Sequence, residues 1–195
     1  MAARRVTDMK SLSAALHSAR EGSGEVRRVL LSASFRPRLP GLTKMVSKLS
    51  KEGAYRKGLE VYYTLPDLNI TPDTAITNSA ISACDKGGQW QSALEIFASM
   101  EVLLLRRDAI TYSSIISALA KGKQWATALE VFDDMQARGV EADVVTCCSL
   151  ISALERGGQW QLAEQLFVQM THPGAGPHPF ALSCGRFTSP GCQPA

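Results

Sequence analysis

The sequence predicts an all-α fold, an α-solenoid built from helix-turn-helix repeats of 35 residues. Three observations predict it. A ten-residue segment, Ile81-Ser-Ala-Cys-Asp-Lys-Gly-Gly-Gln-Trp90, recurs as 116–125 and again as 151–160. Tryptophans stand at 90, 125 and 160, and aspartates at 73, 108 and 143, both with a period of 35. Between these marks the apolar residues recur at spacings of three and four, as on one face of a helix.

Stepping back one period from Asp73 adds a more divergent unit that matches through Lys51, Gly53, Tyr55, Leu59, Glu60 and Tyr62. The frame is therefore 39–73, 74–108, 109–143 and 144–178, and positions are counted from the first residue of each unit. The first helix of the second unit is expected from about Ala75 to Lys86, with Ile76, Ala80, Ile81 and Cys84 inward. Gly87-Gly88 ends it, because glycine tolerates the left-handed C-terminal conformation. The second helix is expected from about Gln89 to Met100, with Trp90, Ala93, Leu94, Phe97 and Met100 as its stripe. Trp125, Ala128, Leu129, Phe132 and Met135 repeat that stripe, as do Trp160, Ala163, Phe167 and Met170. The tryptophans therefore read as packing residues facing neighbouring helices. Pro66 and Pro72, Gly139, and Pro173 to Pro177 mark the turns back. One helical pair cannot bury such a stripe, whereas a stack of three or more can.

Residues 1–38 are out of frame. Thr7 or Asp8 can cap a helix through Ala19, with Met9, Leu12, Leu16 and Ala19 on one face, and 21–24 break it. Arg36-Pro-Arg-Leu-Pro40 reads as a linker. The segment is either a divergent helical pair or an Arg-, Ser- and Ala-rich targeting peptide, and Asp8 and Glu21 weigh against the second. Residues 171–195 hold five of the nine prolines, and a loose Pro/Gly-rich tail is expected over 179–195.

Composition bounds the function. The chain has 195 residues, 45% hydrophobic and 20% charged, as in ordinary folded proteins. Its longest apolar run, Val102 to Leu105, is far short of the ~20 residues that span a bilayer. Five cysteines (84, 147, 148, 184, 192) form no CxxC pair, which argues against a zinc site or disulfide framework and for a reducing compartment. The net charge of +3 is uneven: residues 1–38 carry +5 and residues 39–195 carry −2. That balance counts against strong nonspecific attraction of the repeats to phosphate. His17, His172 and His178 lack HxE or HExxH spacing, and there is no P-loop or GxGxxG. Asp133-Asp134 reads as a solvated helix face. No cofactor is implied, and the chain reads as a non-enzyme.

Position 13 is basic in every unit: Lys51, Lys86, Lys121 and Arg156. Such a stripe can follow a phosphate backbone, or each residue can simply favour a helix C-terminus, worth ~0.3–1 kcal/mol.

The segments Asp108-Ala-Ile-Thr-Tyr-Ser-Ser-Ile-Ile-Ser-Ala-Leu119 and Ala-Leu-Glu-Val-Phe-Asp-Asp-Met135, followed by Gly139 and Asp143, closely resemble the pentatricopeptide repeat. The resemblance covers residues 39–178. It implies a right-handed superhelix that binds single-stranded RNA one base per unit. It also implies a mitochondrial or plastid RNA-processing or stability factor, the alternative location being cytoplasmic. By resemblance, the fifth and last residues read a base: Thr43 with Asp73, Asn78 with Asp108, Ser113 with Asp143, and Cys148 with His178. The implied preference is 5′-G-U-G, the last pair departing from the pattern. Ala75, Ile110 and Val145, with Pro40, occupy the base-packing position. Asp, Ser, Thr and Asn also favour helix N-caps, and the two roles are compatible.

Two other functions compete with RNA binding: a protein-binding scaffold, and a partial member of a repeat family. Stacked bases contribute ~1–3 kcal/mol each, against an association cost of ~4 kcal/mol or more. Four units then bind only in the millimolar to micromolar range. Tight binding by this array needs a protein partner, self-association or further repeats.

Overall fold

The computed structural model describes residues 8–20, 24–35 and 37–171. Thr7, the 21–23 part of the expected helix break, His172, His178 and the expected tail lie outside the described residues. Among the described residues there are ten α-helices and no strand. They are α1 (Met9–Ser18), α2 (Glu25–Leu31), α3 (Leu39–Lys51), α4 (Tyr55–Thr64), α5 (Thr74–Gly87), α6 (Trp90–Val102), α7 (Ala109–Lys121), α8 (Trp125–Ala137), α9 (Val144–Arg156) and α10 (Trp160–Thr171).

The first helix of each unit, α3, α5, α7 and α9, packs directly on its counterpart in the next unit. The second helices instead lie against the first helices of their own and the following unit. This places the first helices in one continuous row along the stack. The buried core runs through every unit without a break, from Leu12 to Leu166.

Both turns within a unit have a fixed backbone requirement. Position 15 is left-handed in all four units, at Gly53, Gly88, Lys123 and Gly158. Position 31 is left-handed at Asn69, Leu104 and Gly139. Lys123 and Leu104 therefore stand where a side chain costs about 1–2 kcal/mol, and Leu104 is also 92% exposed.

The two glycines of the Gly-Gly pair serve different purposes. Position 15 supplies the left-handed turn, whereas position 14 makes room for an aromatic ring of the preceding unit. A Cβ on Gly87, Gly122 or Gly157 would collide with Tyr55, Trp90 or Trp125 respectively. Glu52 stands at position 14 of the first unit and pairs with His17 at 3.2 Å. Trp90 and Trp125 are accordingly half-buried at the edge of the stack rather than central to the core. Trp160 and Phe167 depart from the packing expectation, being 64% and 59% exposed, because no further unit covers them among the described residues.

The N-terminal pair belongs to the same core. Asp8 caps α1 by accepting the Ser11 amide at 2.7 Å. Leu12, Leu16, Val26 and Leu30 are at most 1% exposed. Lys57 donates to the His17 carbonyl at 2.8 Å, and Arg27 pairs with Asp67 at 2.9 Å. The expected linker over 36–40 is shorter than predicted: α3 begins at Leu39, and Pro40 sits in its first turn, where a missing amide hydrogen costs nothing.

Asp134 also departs from expectation. It is not simply solvated: the Tyr112 hydroxyl donates to its carboxylate at 2.6 Å, and Arg138 at 2.8 Å. Arg107 pairs with it at 3.4 Å, lying 4.3 Å over the Phe97 ring. Burial and this hydrogen bond push the Tyr112 phenol up to about 12. The cluster ties the second unit to the third.

Candidate nucleic-acid interface

Each first helix presents positions 5, 9 and 13 on successive turns of one face. In the second unit these are Asn78, Ser82 and Lys86; in the third, Ser113, Ser117 and Lys121. A groove of about 500 Å³ opens between α3 and α5, lined among others by Ser47, Lys51, Ala75, Asn78, Lys86 and Ile110. It also reaches Asp108 at the start of α7.

The three repeat aspartates are N-caps. Asp73 accepts the Ile76 amide at 2.8 Å, Asp108 the Thr111 amide at 2.9 Å, and Asp143 the Thr146 amide at 2.7 Å. Only at Asp108 does the cap also engage the fifth residue of the preceding helix. Asn78 Nδ2 donates to Asp108 Oδ1 at 3.1 Å, and the Thr111 hydroxyl lies 2.7 Å from Asn78 Oδ1. The amide plane is thus fixed from two sides, with one N–H left over. Burial disfavours the charged form of Asp108, but the Thr111 and Asn78 hydrogen bonds outweigh it and hold its pKa below the ordinary carboxylate value. At Asp143 the Thr146 hydroxyl and amide lower the pKa in the same sense.

The other pairs are not joined. Thr43 donates to the Leu39 carbonyl at 3.0 Å and Ser113 to the Ile110 carbonyl at 3.1 Å. Both hydroxyls turn back onto their own helix, away from Asp73 and Asp143. Cys148 is exposed, and its partner position 178 lies outside the described residues.

The packing positions form an exposed row. Ala75 is exposed, and Ile110 and Val145 are 63% and 64% exposed. Isoleucine and valine at the start of a helix, held in water by the cap before them, leave apolar surface exposed, and Ile110 lines the groove.

The basic positions divide. Lys121 donates to the Asp85 carboxylate at 3.0 Å and carbonyl at 3.1 Å. Arg156 donates to the Ala120 carbonyl at 3.1 Å. Lys51 and Lys86 are exposed and line the groove. Sequence reasoning missed two participants. Thr111 was legible as the partner three residues after the Asp108 cap. The serines at position 9 (47, 82, 117 and 152) recur in every unit, as regular a signal as the basic stripe.

A model of the PPR repeat family matches residues 107–156, and a PPR repeat model matches residues 145–174. Residues 107–174 therefore carry pentatricopeptide repeats. The fold of the chain is that of the pentatricopeptide repeat protein PPR10 from maize, with a TM-score of 0.68 at 21% identity over 88% of this chain and 25% of that one. PPR10 in complex with an 18-nt psaJ RNA element matches with a TM-score of 0.66, at 21% identity over 88% of this chain and 26% of that one. The PPR domain of Arabidopsis thaliana protein-only RNase P 1, in complex with tRNA, matches at 0.64 and 10% identity, covering 90% of this chain and 92% of that domain. At these identities the likeness is one of fold. The chain spans about a quarter of the PPR10 chain. No curated protein matches the sequence. No described helix is long and apolar enough to cross a membrane.

Proposed function

We propose that this chain binds single-stranded RNA along its row of first helices and acts as an organellar RNA-processing or stability factor. The observation that carries the reading is the Asn78–Asp108 pair, which holds a planar amide at the rim of a groove between apolar Ala75 and Ile110. Amides of this kind recognise the Watson–Crick edge of a base, and apolar side chains on either side suit its faces. The RNA in the PPR10 complex and the tRNA in the RNase P 1 complex support the same reading.

In this proposal Thr43 with Asp73, Asn78 with Asp108, and Ser113 with Asp143 read 5′-G-U-G. The Thr43 and Ser113 hydroxyls leave their helix carbonyls when a base arrives, while Asn78 is preset. The middle base is therefore the most strongly discriminated. Fluorescence anisotropy of the full chain with GUG and GGG oligonucleotides tests this. GUG binds more tightly, and Asn78→Ser shifts the preference toward GGG; equal binding of both RNAs by both proteins contradicts it.

A protein partner is the second reading, favoured by Val102 and Leu104, which are 85% and 92% exposed at one turn. It complements RNA binding, because four units alone give only weak affinity.

A further inference from the structure

Asn78 carries one group that Asp108 cannot hold. An ionised carboxylate only accepts, so Asp108 fixes the amide N–H side and leaves the amide carbonyl to find a donor elsewhere. Thr111, at position 3 of the following unit, supplies that donor. Its hydroxyl proton has two acceptors within reach, Asn78 Oδ1 at 2.7 Å and Asp108 Oδ1 at 2.8 Å. Asp108 Oδ1 already accepts the Thr111 amide at 2.9 Å and Asn78 Nδ2 at 3.1 Å. The proton therefore goes to Asn78. Thr111 is fully buried, so it acts only through the asparagine.

The neighbouring units lack one part or another of this arrangement. After Thr43 and Asp73, position 3 is Ile76, which has no hydroxyl. After Ser113 and Asp143 it is Thr146, whose hydroxyl bonds to Asp143 at 2.7 Å while Ser113 turns back to the Ile110 carbonyl. Asparagine, aspartate and threonine meet only at the second unit among the described residues.

We infer that Thr111 is a specificity-determining positioning residue, which holds the Asn78 carbonyl back so that the amide offers the base a donor alone and selects uracil against cytosine. The inference rests on the RNA-binding reading for the base, but not for the positioning. A lone N–H matches the carbonyl oxygen of uracil and faces the amino group of cytosine as donor against donor. Without the threonine hydroxyl nothing retains Oδ1, and the side chain turns to accept the cytosine amino group.

The experiment uses the full chain. Thr111→Val keeps the shape of the side chain and the capped backbone amide but loses the hydroxyl. Affinities for GUG and GCG oligonucleotides are measured by fluorescence anisotropy. Exchange of the Asn78 Nδ2 protons with water is followed by NMR without RNA. Thr111→Val lowers the GUG-to-GCG affinity ratio about fivefold, the worth of one hydrogen bond, chiefly by a gain in GCG binding. Thr111→Ser restores the ratio. Thr146→Val removes the corresponding hydroxyl of the next cap and leaves the ratio unchanged. In the free chain, the Asn78 Nδ2 protons exchange faster in Thr111→Val alone. Ser113→Asn sets an amide before Asp143 and Thr146 and builds a second such arrangement. That variant prefers GUU to GUC, and adding Thr146→Val removes the preference. This arm stands even where Thr111→Val impairs folding.

A GUG-to-GCG ratio unchanged in Thr111→Val overturns the inference, as does an equal loss of affinity for both RNAs, which marks a structural role. Unchanged Asn78 exchange in free Thr111→Val overturns it too, and so does a GUU-to-GUC ratio in Ser113→Asn that is indifferent to Thr146→Val. Exchange altered as expected in a chain that binds neither RNA upholds the positioning and refutes the RNA reading instead.

Discussion

Replacing Gly122 with alanine tests whether the aromatic–glycine ladder holds the units together. Gly122 has ordinary right-handed backbone, so alanine brings no left-handed strain there. On helix propensity alone it would stabilise the end of α7 by up to about 1 kcal/mol. Against that gain, the new Cβ would sit inside the Trp90 ring, 2.5 Å from Cγ and 3.0 Å from Cβ. The Trp90 Cβ is next to the backbone of α6, so rotating the ring does not relieve the contact. Overpacking of this kind costs about 1–3 kcal/mol, and here α6 must shift relative to α7. The net expectation is a destabilisation of about 1–2 kcal/mol, or roughly 2–8 °C in the thermal midpoint for a chain of this size. Thermal unfolding of Gly122→Ala, Trp90→Ala and the double variant forms a double-mutant cycle. In the Trp90→Ala background the ring contacts are gone and only the 3.0 Å contact with the Cβ remains, so the alanine costs less than in the parent. A Gly122→Ala chain as stable as the parent, or additivity in the cycle, refutes the reasoning.

Four further outcomes follow from the same contacts. Leu104→Gly and Lys123→Gly each raise stability by about 0.5–1 kcal/mol in urea unfolding, because each removes a left-handed side chain; a loss of stability contradicts the turn geometry. Stability falls as pH rises from about 10, where an unfolded tyrosine ionises, toward about 12, where folded Tyr112 does. Tyr112→Phe loses that part of the alkaline dependence in a pH series of urea melts. Among the three described cysteines iodoacetamide labels Cys148 first, since Cys84 is buried with its thiol pushed up to about 12 and Cys147 is buried with its thiol also raised. Peptide mass spectrometry showing Cys84 labelled earlier would count against the packing of α5. Deleting residues 1–35 removes the helices that pack on α3 and α4 and frees the Lys57 ammonium from the His17 carbonyl. The shortened chain then melts lower, and an unchanged midpoint would show that α1 and α2 are not part of the cooperative stack.

The period was the most legible property of the chain, because each repeated residue has a separate physical cause. The aspartates recur because each caps the first helix of the unit that follows it. The Gly-Gly pair recurs for two reasons, a left-handed turn at position 15 and an approaching ring at position 14. Only the first reason was visible without neighbours in space. Asp134 was misread because its partners, Tyr112 and Arg107, sit 22 and 27 residues earlier, and no local pattern joins them. The candidate reading pairs were legible by position but not by orientation. Nothing in the residue types distinguishes Thr43 and Ser113, which bond back to their helix, from Asn78, which reaches across. A longer side chain with both donor and acceptor is the physical reason Asn78 alone spans the gap. The unequal state of the basic stripe was hidden for the same reason, since it depends on position 12 of the preceding unit.

The most direct test of RNA reading is the side-chain amide resonance of Asn78. The chain has two asparagines, Asn69 and Asn78. Asn69 stands in a left-handed turn and serves as the internal control. Titration with a GUG oligonucleotide is expected to shift the Asn78 Nδ2 protons and leave those of Asn69 in place, and a GGG oligonucleotide shifts them less. Saturating RNA binding with the Asn78 amide unmoved would contradict the account.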